Sequence, residues 1–131
     1  MSGAVAGVGR VVNPADGSLV AEVAYDGADE VAAAVTAASG AFAQWSRATP
    51  AERSGALTRL AARMTERAEE YALVETRQCG KPIRLTTEFD VPGSIDNVSF
   101  FAGAARHLEG SAATEWDGAH TSMVRREPIG V

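Results

Sequence analysis

Residues 91–131, VPGSIDNVSFFAGAARHLEGSAATEWDGAHTSMVRREPIGV, decide how this chain is organised. Val91, Ile95, Val98, Ala102, Ala105 and Leu108 recur at intervals of three and four, which gives a helix one apolar face. Gly110 is expected to close that helix, because glycine accepts the left-handed backbone of a C-terminal cap. Two extended runs follow, residues 111–116 and 119–127, joined at Asp117-Gly118. Asp-Gly between β-prone runs predicts a hairpin, since both turn residues must tolerate positive φ. A lone two-stranded ribbon is at best marginally stable in water. This one therefore reads as waiting for strands that these 131 residues do not contain.

Upstream, Arg10-Val11-Val12 and residues 19–25 flank Asn13-Pro14-Ala15-Asp16-Gly17, a turn between β-prone flanks, and predict a hairpin. Residues 1–9 are mostly glycine and alanine and read as a flexible lead-in. Asp29 is expected to cap a first helix whose stripe is Val31, Val35, Ala38, Phe42 and Trp45, with Trp45 in the core. Thr49-Pro50-Ala51-Glu52 predicts a capping box with proline at the first helical position. Leu57, Leu60, Ala61, Met64 and Ala68 carry the apolar face of that second helix, and its arginines and glutamates form a solvated one. A third helix runs to Gln78 and stops at Gly80 and Pro82. A fourth is expected to begin near Thr86 or Thr87, with Pro92 in its first turn or at a kink.

The net charge of −5 argues against nucleic acid as a partner, because phosphate binding needs a basic face. One cysteine excludes an intramolecular disulfide and fits a reducing compartment. The N-terminus lacks the charged and apolar segments of a signal peptide, and no apolar run is long enough for a membrane span. A cytoplasmic protein is expected.

Few residues invite chemistry. Cys79 follows a helix, at the negative end of its dipole, which opposes a thiolate; an inert, packed cysteine is expected. His107 and His120 fall on different elements without a zinc-ligand spacing. No phosphate loop, dinucleotide fingerprint or nucleophile elbow occurs. Asp90 reads either as a helix cap or as a carboxylate for a hard cation.

Six motifs in register carry a resemblance. They are Val12-Asn13-Pro14-Ala15-Asp16-Gly17, Ala41-Phe42-Ala43-Gln44-Trp45, Thr49-Pro50-Ala51-Glu52-Arg53, Gly80-Lys81-Pro82, Phe101-Ala102-Gly103 and Arg126-Glu127-Pro128-Ile129-Gly130-Val131. Together they resemble the N-terminal part of the NAD(P)-dependent aldehyde dehydrogenase superfamily. Arg77-Gln78-Cys79-Gly80-Lys81-Pro82, residues 100–106 and His120-Thr121-Ser122-Met123-Val124-Arg125-Arg126 more closely resemble the bacterial 4-aminobutyraldehyde and betaine-aldehyde dehydrogenases.

The resemblance implies an α/β fold of which only part is present: an N-terminal β-hairpin, about four helices, then a β-ribbon of the oligomerisation arm. It divides the chain into residues 1–9, a flexible N-terminus; 10–110, the N-terminal helical part of the cofactor domain; and 111–131, the ribbon and the start of a truncated Rossmann-like core. It implies a parent enzyme that oxidises an aminoaldehyde to the acid with NAD, or NADP, through a cysteine thiolate, a glutamate and an asparagine that all lie beyond Val131 in family order. The fragment alone is then expected to be inactive, and Cys79 does not match the catalytic cysteine. Val11, Val12 and Asp90 match positions where some members hold sodium or potassium through main-chain carbonyls and a carboxylate. The ribbon over residues 111–127 implies a homo-oligomer, a dimer or a tetramer. The other expectation is a non-catalytic oligomerisation or interaction module that pairs through exposed strand edges.

Overall fold

A computed structural model describes residues 7–110 and 113–131, apart from the side chain of Trp116. Most of the expected lead-in and the first two residues of the expected ribbon strand lie outside the described residues. The chain opens with an antiparallel hairpin of β1 (Val8–Val12) and β2 (Leu19–Ala24), paired from Val8↔Ala24 to Val11↔Ala21, with the register shifting at Val12↔Leu19. The first strand starts two residues before the expected Arg10. Glycine explains the extension: the Tyr25 ring lies across Gly7 and Gly9, and a Cβ on Gly9 would stand 2.5 Å from the Tyr25 hydroxyl. At the turn, Asp16 Oδ1 accepts from both the Ser18 N–H and its hydroxyl, at 2.9 and 2.7 Å, and Gly17 takes φ +75°.

Helix α1 (Ala28–Trp45) begins one residue before Asp29, which is not its cap. Gly27 holds that position, and Glu30 Oε2 accepts its N–H at 2.8 Å; Asp29 instead sits in the first turn, where the dipole favours a carboxylate. Trp45 is not in the core either, being 53% exposed.

Helix α2 (Pro50–Glu66) starts as expected. The Glu52 N–H donates to Thr49 Oγ1 at 3.2 Å, and Glu52 Oε2 accepts from the Thr49 N–H and hydroxyl at 2.7 and 2.9 Å. These Thr49 donors, the backbone N–H first, hold the Glu52 carboxyl below its ordinary value of 4.5. A depressed carboxylate contributes stability that is present above its unfolded pKa and lost as pH falls through the folded value. The urea midpoint is therefore expected to drop between about pH 6 and about pH 3, and Glu52→Gln to flatten part of that slope. An unchanged slope in the variant counts against the cap's contribution.

Helix α3 (Ala68–Cys79) follows at Arg67, whose guanidinium makes two bonds to Glu70 and lies 5.4 Å from the centre of the Tyr71 ring. Gly80 closes α3 in the left-handed region at φ +71°, its N–H donating to the Thr76 carbonyl at 2.9 Å.

The fourth helical stretch starts earlier than expected and changes pitch. A single turn, α4 (Ile83–Leu85), runs into a π-helical turn, Thr86–Asp90, and then into α5 (Val91–Ala104). Pro92 supplies the cause, since it has no N–H and its ring would press on the carbonyl four residues back. Widening the preceding turn relieves this, and the Val91 N–H reaches five residues back to the Thr86 carbonyl. Thr86 is fully buried; its hydroxyl donates to the Ile83 carbonyl at 2.9 Å and lies 3.0 Å from the Thr76 hydroxyl, which ties the turn to α3.

The core is small and lies where α2 crosses α5, with Ala61, Ala72, Val91 and Ala102 buried beside Ser54 and Thr86. Ile95, Val98 and Ala105 continue that face half-buried, as the spacing predicts. The helix stops at Ala104, however, so Leu108 is off it and exposed. Gly110 is not the cap. Ala105 ends the helix in ordinary helical backbone, and the His107 N–H turns back to the Ala104 carbonyl at 2.9 Å. Gly110 is required for another reason: the Val124 main chain passes so close that a Cβ there would collide with its carbonyl.

Strands β3 (Thr114–Asp117) and β4 (His120–Ser122) form the second hairpin, shorter than the expected ribbon. Gly118 has no positive φ, so the turn is not the expected glycine-driven type. The Asp117 carboxylate makes it instead, with Oδ1 accepting from the Ala119 and His120 N–H groups at 2.8 and 2.9 Å. Arg126 Nε then donates to the Glu109 carbonyl at 2.9 Å and holds the final segment to the loop after α5. Among the described residues no helix is long and apolar enough to cross a membrane.

Candidate functional site

The π-helical turn places Asp90 beside the cap of α3, and a charge cluster forms there. Lys81 Nζ lies 3.0 Å from Glu75 Oε1 and 3.1 Å from Asp90 Oδ2, so one ammonium joins α3, the loop after Gly80 and the π-helical turn. Glu75 first, and then Asp90, raise the Lys81 pKa above its ordinary value. Beside the cluster runs a groove of about 590 Å³ with Leu60, Met64, Tyr71, Val74 and Val91 along it. Asp90 does not cap α5; its carbonyl accepts the Ser94 hydroxyl at 2.8 Å while its carboxylate serves Lys81.

The other two expected cation ligands lie on the neighbouring hairpin. Val11 and Val12 belong to β1, which packs on α3. The hairpin is seated at the same corner as Lys81: a Cβ on Gly80 would stand 2.6 Å from the Pro14 ring. Among the described residues no hydrogen bond links either valine to Asp90. Main-chain carbonyls and a carboxylate are hard oxygen donors, which suits sodium or potassium. The Lys81 ammonium lies against Asp90 Oδ2, so a cation held there would share the carboxylate with it.

Cys79 is the last residue of α3 and is exposed, not packed as expected. That expectation rested on the usual burial of a free cysteine, and the end of α3 is uncovered here. His107 sits in the turn after α5, and His120 Nδ1 lies 2.8 Å from Asp117 Oδ1 at the second hairpin. The cysteine and the two histidines thus stand on separate elements. Among the described residues no three His, Cys, Asp or Glu gather as a metal site. Sequence reasoning missed the Glu75–Lys81–Asp90 cluster, because it spans a cap, a loop and a change of pitch. Glu75, one helical turn before Cys79-Gly80, was the one available signal.

The aldehyde dehydrogenase family model matches residues 4–131. Aminoacetaldehyde dehydrogenase of Pseudomonas aeruginosa is 41% identical over 121 residues, which cover 91% of this chain and 24% of that protein. The crystal structure of PnpE, a Pseudomonas protein, in complex with nicotinamide adenine dinucleotide is 40% identical, with a TM-score of 0.89 over 94% of this chain and 25% of that one. Gamma-glutamyl-gamma-aminobutyraldehyde dehydrogenase of Burkholderia cenocepacia is likewise 40% identical, with a TM-score of 0.79 over 84% of this chain and 22% of that one. The chain spans about a quarter of the length of the curated relatives it matches. It keeps their conformation over that quarter, and it belongs to the aldehyde dehydrogenase family.

Proposed function

We propose that this chain serves as the N-terminal part of an NAD-dependent aldehyde dehydrogenase that oxidises 4-aminobutyraldehyde or a related aminoaldehyde to the acid, as in putrescine degradation in the cytoplasm. The observation that carries the reading is the family conformation over this quarter of the fold. The names of two relatives, on aminoacetaldehyde and on gamma-glutamyl-gamma-aminobutyraldehyde, favour an amine-bearing substrate. Residues 10–110 are the helical scaffold of the cofactor domain; residues 111–131 begin the oligomerisation ribbon and the Rossmann-like core. The nicotinamide group, when bound, accepts hydride. This chain's residues bear on it only by bracing, since Cys79 stands at the carbonyl end of a helix, where no backbone N–H points at a developing oxyanion. Purified alone with NAD and 4-aminobutyraldehyde, the chain is expected to give no rise in NADH absorbance. Turnover by the chain alone overturns its assignment as scaffold.

The cation reading belongs to the same proposal. Asp90 and the carbonyls of Val11 and Val12 would hold sodium or potassium, tying the hairpin to the π-helical turn. A higher melting midpoint in potassium chloride than in choline chloride at equal ionic strength is expected, and Asp90→Asn is expected to erase the difference. Equal midpoints for the unaltered chain would remove this reading.

A second reading, a non-catalytic oligomerisation module, has its own support. Among the described residues both sheets have only two strands, so each presents outer edges that recruit further strands. Such pairing also fits a dimer or tetramer through residues 111–127 in the whole enzyme. Light scattering decides: a monomer at all concentrations counts against the module, and a dimer through the ribbon supports it.

A further inference from the structure

We propose that Asp117 is a site of self-modification: its side chain closes on the Gly118 amide nitrogen and reopens as isoaspartate, with His120 supplying the proton.

Asp-Gly occurs three times, at Asp16-Gly17, Asp26-Gly27 and Asp117-Gly118. In each, attack of the following amide nitrogen on the carboxyl carbon closes a five-membered ring, and glycine offers no Cβ to block the approach. The dipeptide alone ranks the three equally; the structure does not. The Gly17 N–H is committed to the Asn13 carbonyl at 2.7 Å, and the Gly27 N–H to Glu30 Oε2 at 2.8 Å. Turning either amide toward its aspartate breaks a hydrogen bond that holds a turn or a helix start. Among the described residues the Gly118 N–H makes no hydrogen bond, and nothing stands within 4 Å of where its Cβ would be.

The Asp117 carboxyl is arranged as the electrophile. Its Oδ1 accepts from the Ala119 and His120 N–H groups at 2.8 and 2.9 Å, two donors aimed at the oxygen that gathers charge when a nucleophile adds to Cγ. The Ala119 N–H first, and then the His120 imidazole, hold this carboxyl below its ordinary value of 3.8, so it stands as carboxylate and needs a proton delivered. His120 Nδ1 lies 2.8 Å from Oδ1 and 2.9 Å from Oδ2, within reach of the oxygen that must leave. Asp16 also has two donors on Oδ1, both from Ser18, but among the described residues no imidazole reaches it.

The atoms balance. Gly118 N bonds to Cγ as the Cγ–Oδ2 bond breaks, and Oδ2 departs as water with the amide hydrogen and the proton of the His120 imidazolium. Water then opens the succinimide. Breaking its bond from nitrogen to Cγ restores aspartate; breaking the bond to the main-chain carbonyl carbon leaves the chain running through Cγ, as isoaspartate. The new acid returns a proton to His120, so mass is unchanged and water is the only co-reactant. The longer backbone takes the carboxylate out of the turn, and the Asp117↔His120 pairing of β3 with β4 goes with it.

The test holds the 131-residue chain at neutral pH and body temperature and locates isoaspartate by proteolysis and electron-transfer fragmentation. Isoaspartate is expected to accumulate at 117 on the order of tenfold faster than at 16 or 26, the worth of the hydrogen bond that each of those amides must give up. In urea, where the turns are gone, the three sites should react alike. His120→Gln is expected to slow the reaction at 117 on the order of tenfold in the folded chain and to leave it unchanged in urea. The turn survives that change, because the two N–H groups on Oδ1 belong to the main chain. Equal rates at the three sites in the folded chain, the same ranking in urea, or a His120→Gln rate at 117 that does not fall, or falls equally in urea, would each overturn the proposal.

Discussion

Gly80→Val is expected to destabilise the chain by about 3 kcal/mol, read as a fall in the urea midpoint at constant slope. Two separate costs add at this position. The backbone sits at φ +71°, where a side chain bearing Cβ costs about 1–2 kcal/mol and a β-branched one more. The Pro14 ring then stands where the Cβ must go, 2.6 Å away, and forcing atoms into an occupied space costs about 1–3 kcal/mol. Gly17→Ala separates the two. Gly17 has a similar φ of +75° but nothing within 4 Å of its Cβ position, so only the backbone cost of about 1 kcal/mol applies. Adding Pro14→Ala to Gly80→Val should return the steric part and leave the backbone part. If Gly80→Val is no worse than Gly17→Ala, the hairpin is not seated on the cap of α3, and the corner that holds Lys81 and Asp90 is not fixed from that side.

The features legible from the sequence are those whose cause lies within a few residues. The Thr49–Glu52 box, the Gly80 cap and the Asp16-Gly17 turn each need only their own neighbours, and each forms as expected. Val91, Ile95, Val98, Ala102 and Ala105 were legible because their partner, α2, is in the same chain. The misreadings share a different cause. Trp45 and Leu108 carry apolar spacing, but spacing cannot say whether the covering surface belongs to this chain. The π-helical turn was hidden because Pro92 reads as a first-turn or kink residue, and the backbone absorbs it by widening one turn upstream. Gly110 and Gly118 were read for positive φ, whereas one makes room for the Val124 main chain and the other lies inside a turn built by the Asp117 carboxylate. Of the candidate site, Asp90 was found from the residues themselves. Lys81 and Glu75 were not, because their meeting depends on that change of pitch.

That change of pitch is held by one hydroxyl, and Thr86→Val is expected to cost about 2 kcal/mol although it conserves shape. The Thr86 hydroxyl has a single proton, which goes to the Ile83 carbonyl at 2.9 Å. At 3.0 Å from the Thr76 hydroxyl it must therefore act as the acceptor there, with Thr76 donating. Valine removes both roles at a fully buried position: the Ile83 carbonyl keeps the backbone N–H of residue 86 but loses the hydroxyl, and the Thr76 hydroxyl loses its acceptor. Thr76→Val alone removes a donor from an oxygen that still has its own bond to Ile83, so about 1 kcal/mol is expected. The Thr76→Val, Thr86→Val pair should cost less than the two single losses added, because the double change leaves no stranded hydroxyl at position 76. A strictly additive pair would mean that the two hydroxyls do not act together. The readout that separates this from general loosening is hydrogen exchange at the Val91 amide, whose bond to the Thr86 carbonyl defines the widened turn. It should open faster in Thr86→Val than amides of α2 do. With it goes the placement of Asp90 against Lys81, since the carboxylate reaches that ammonium only while the extra residue is accommodated just before Pro92.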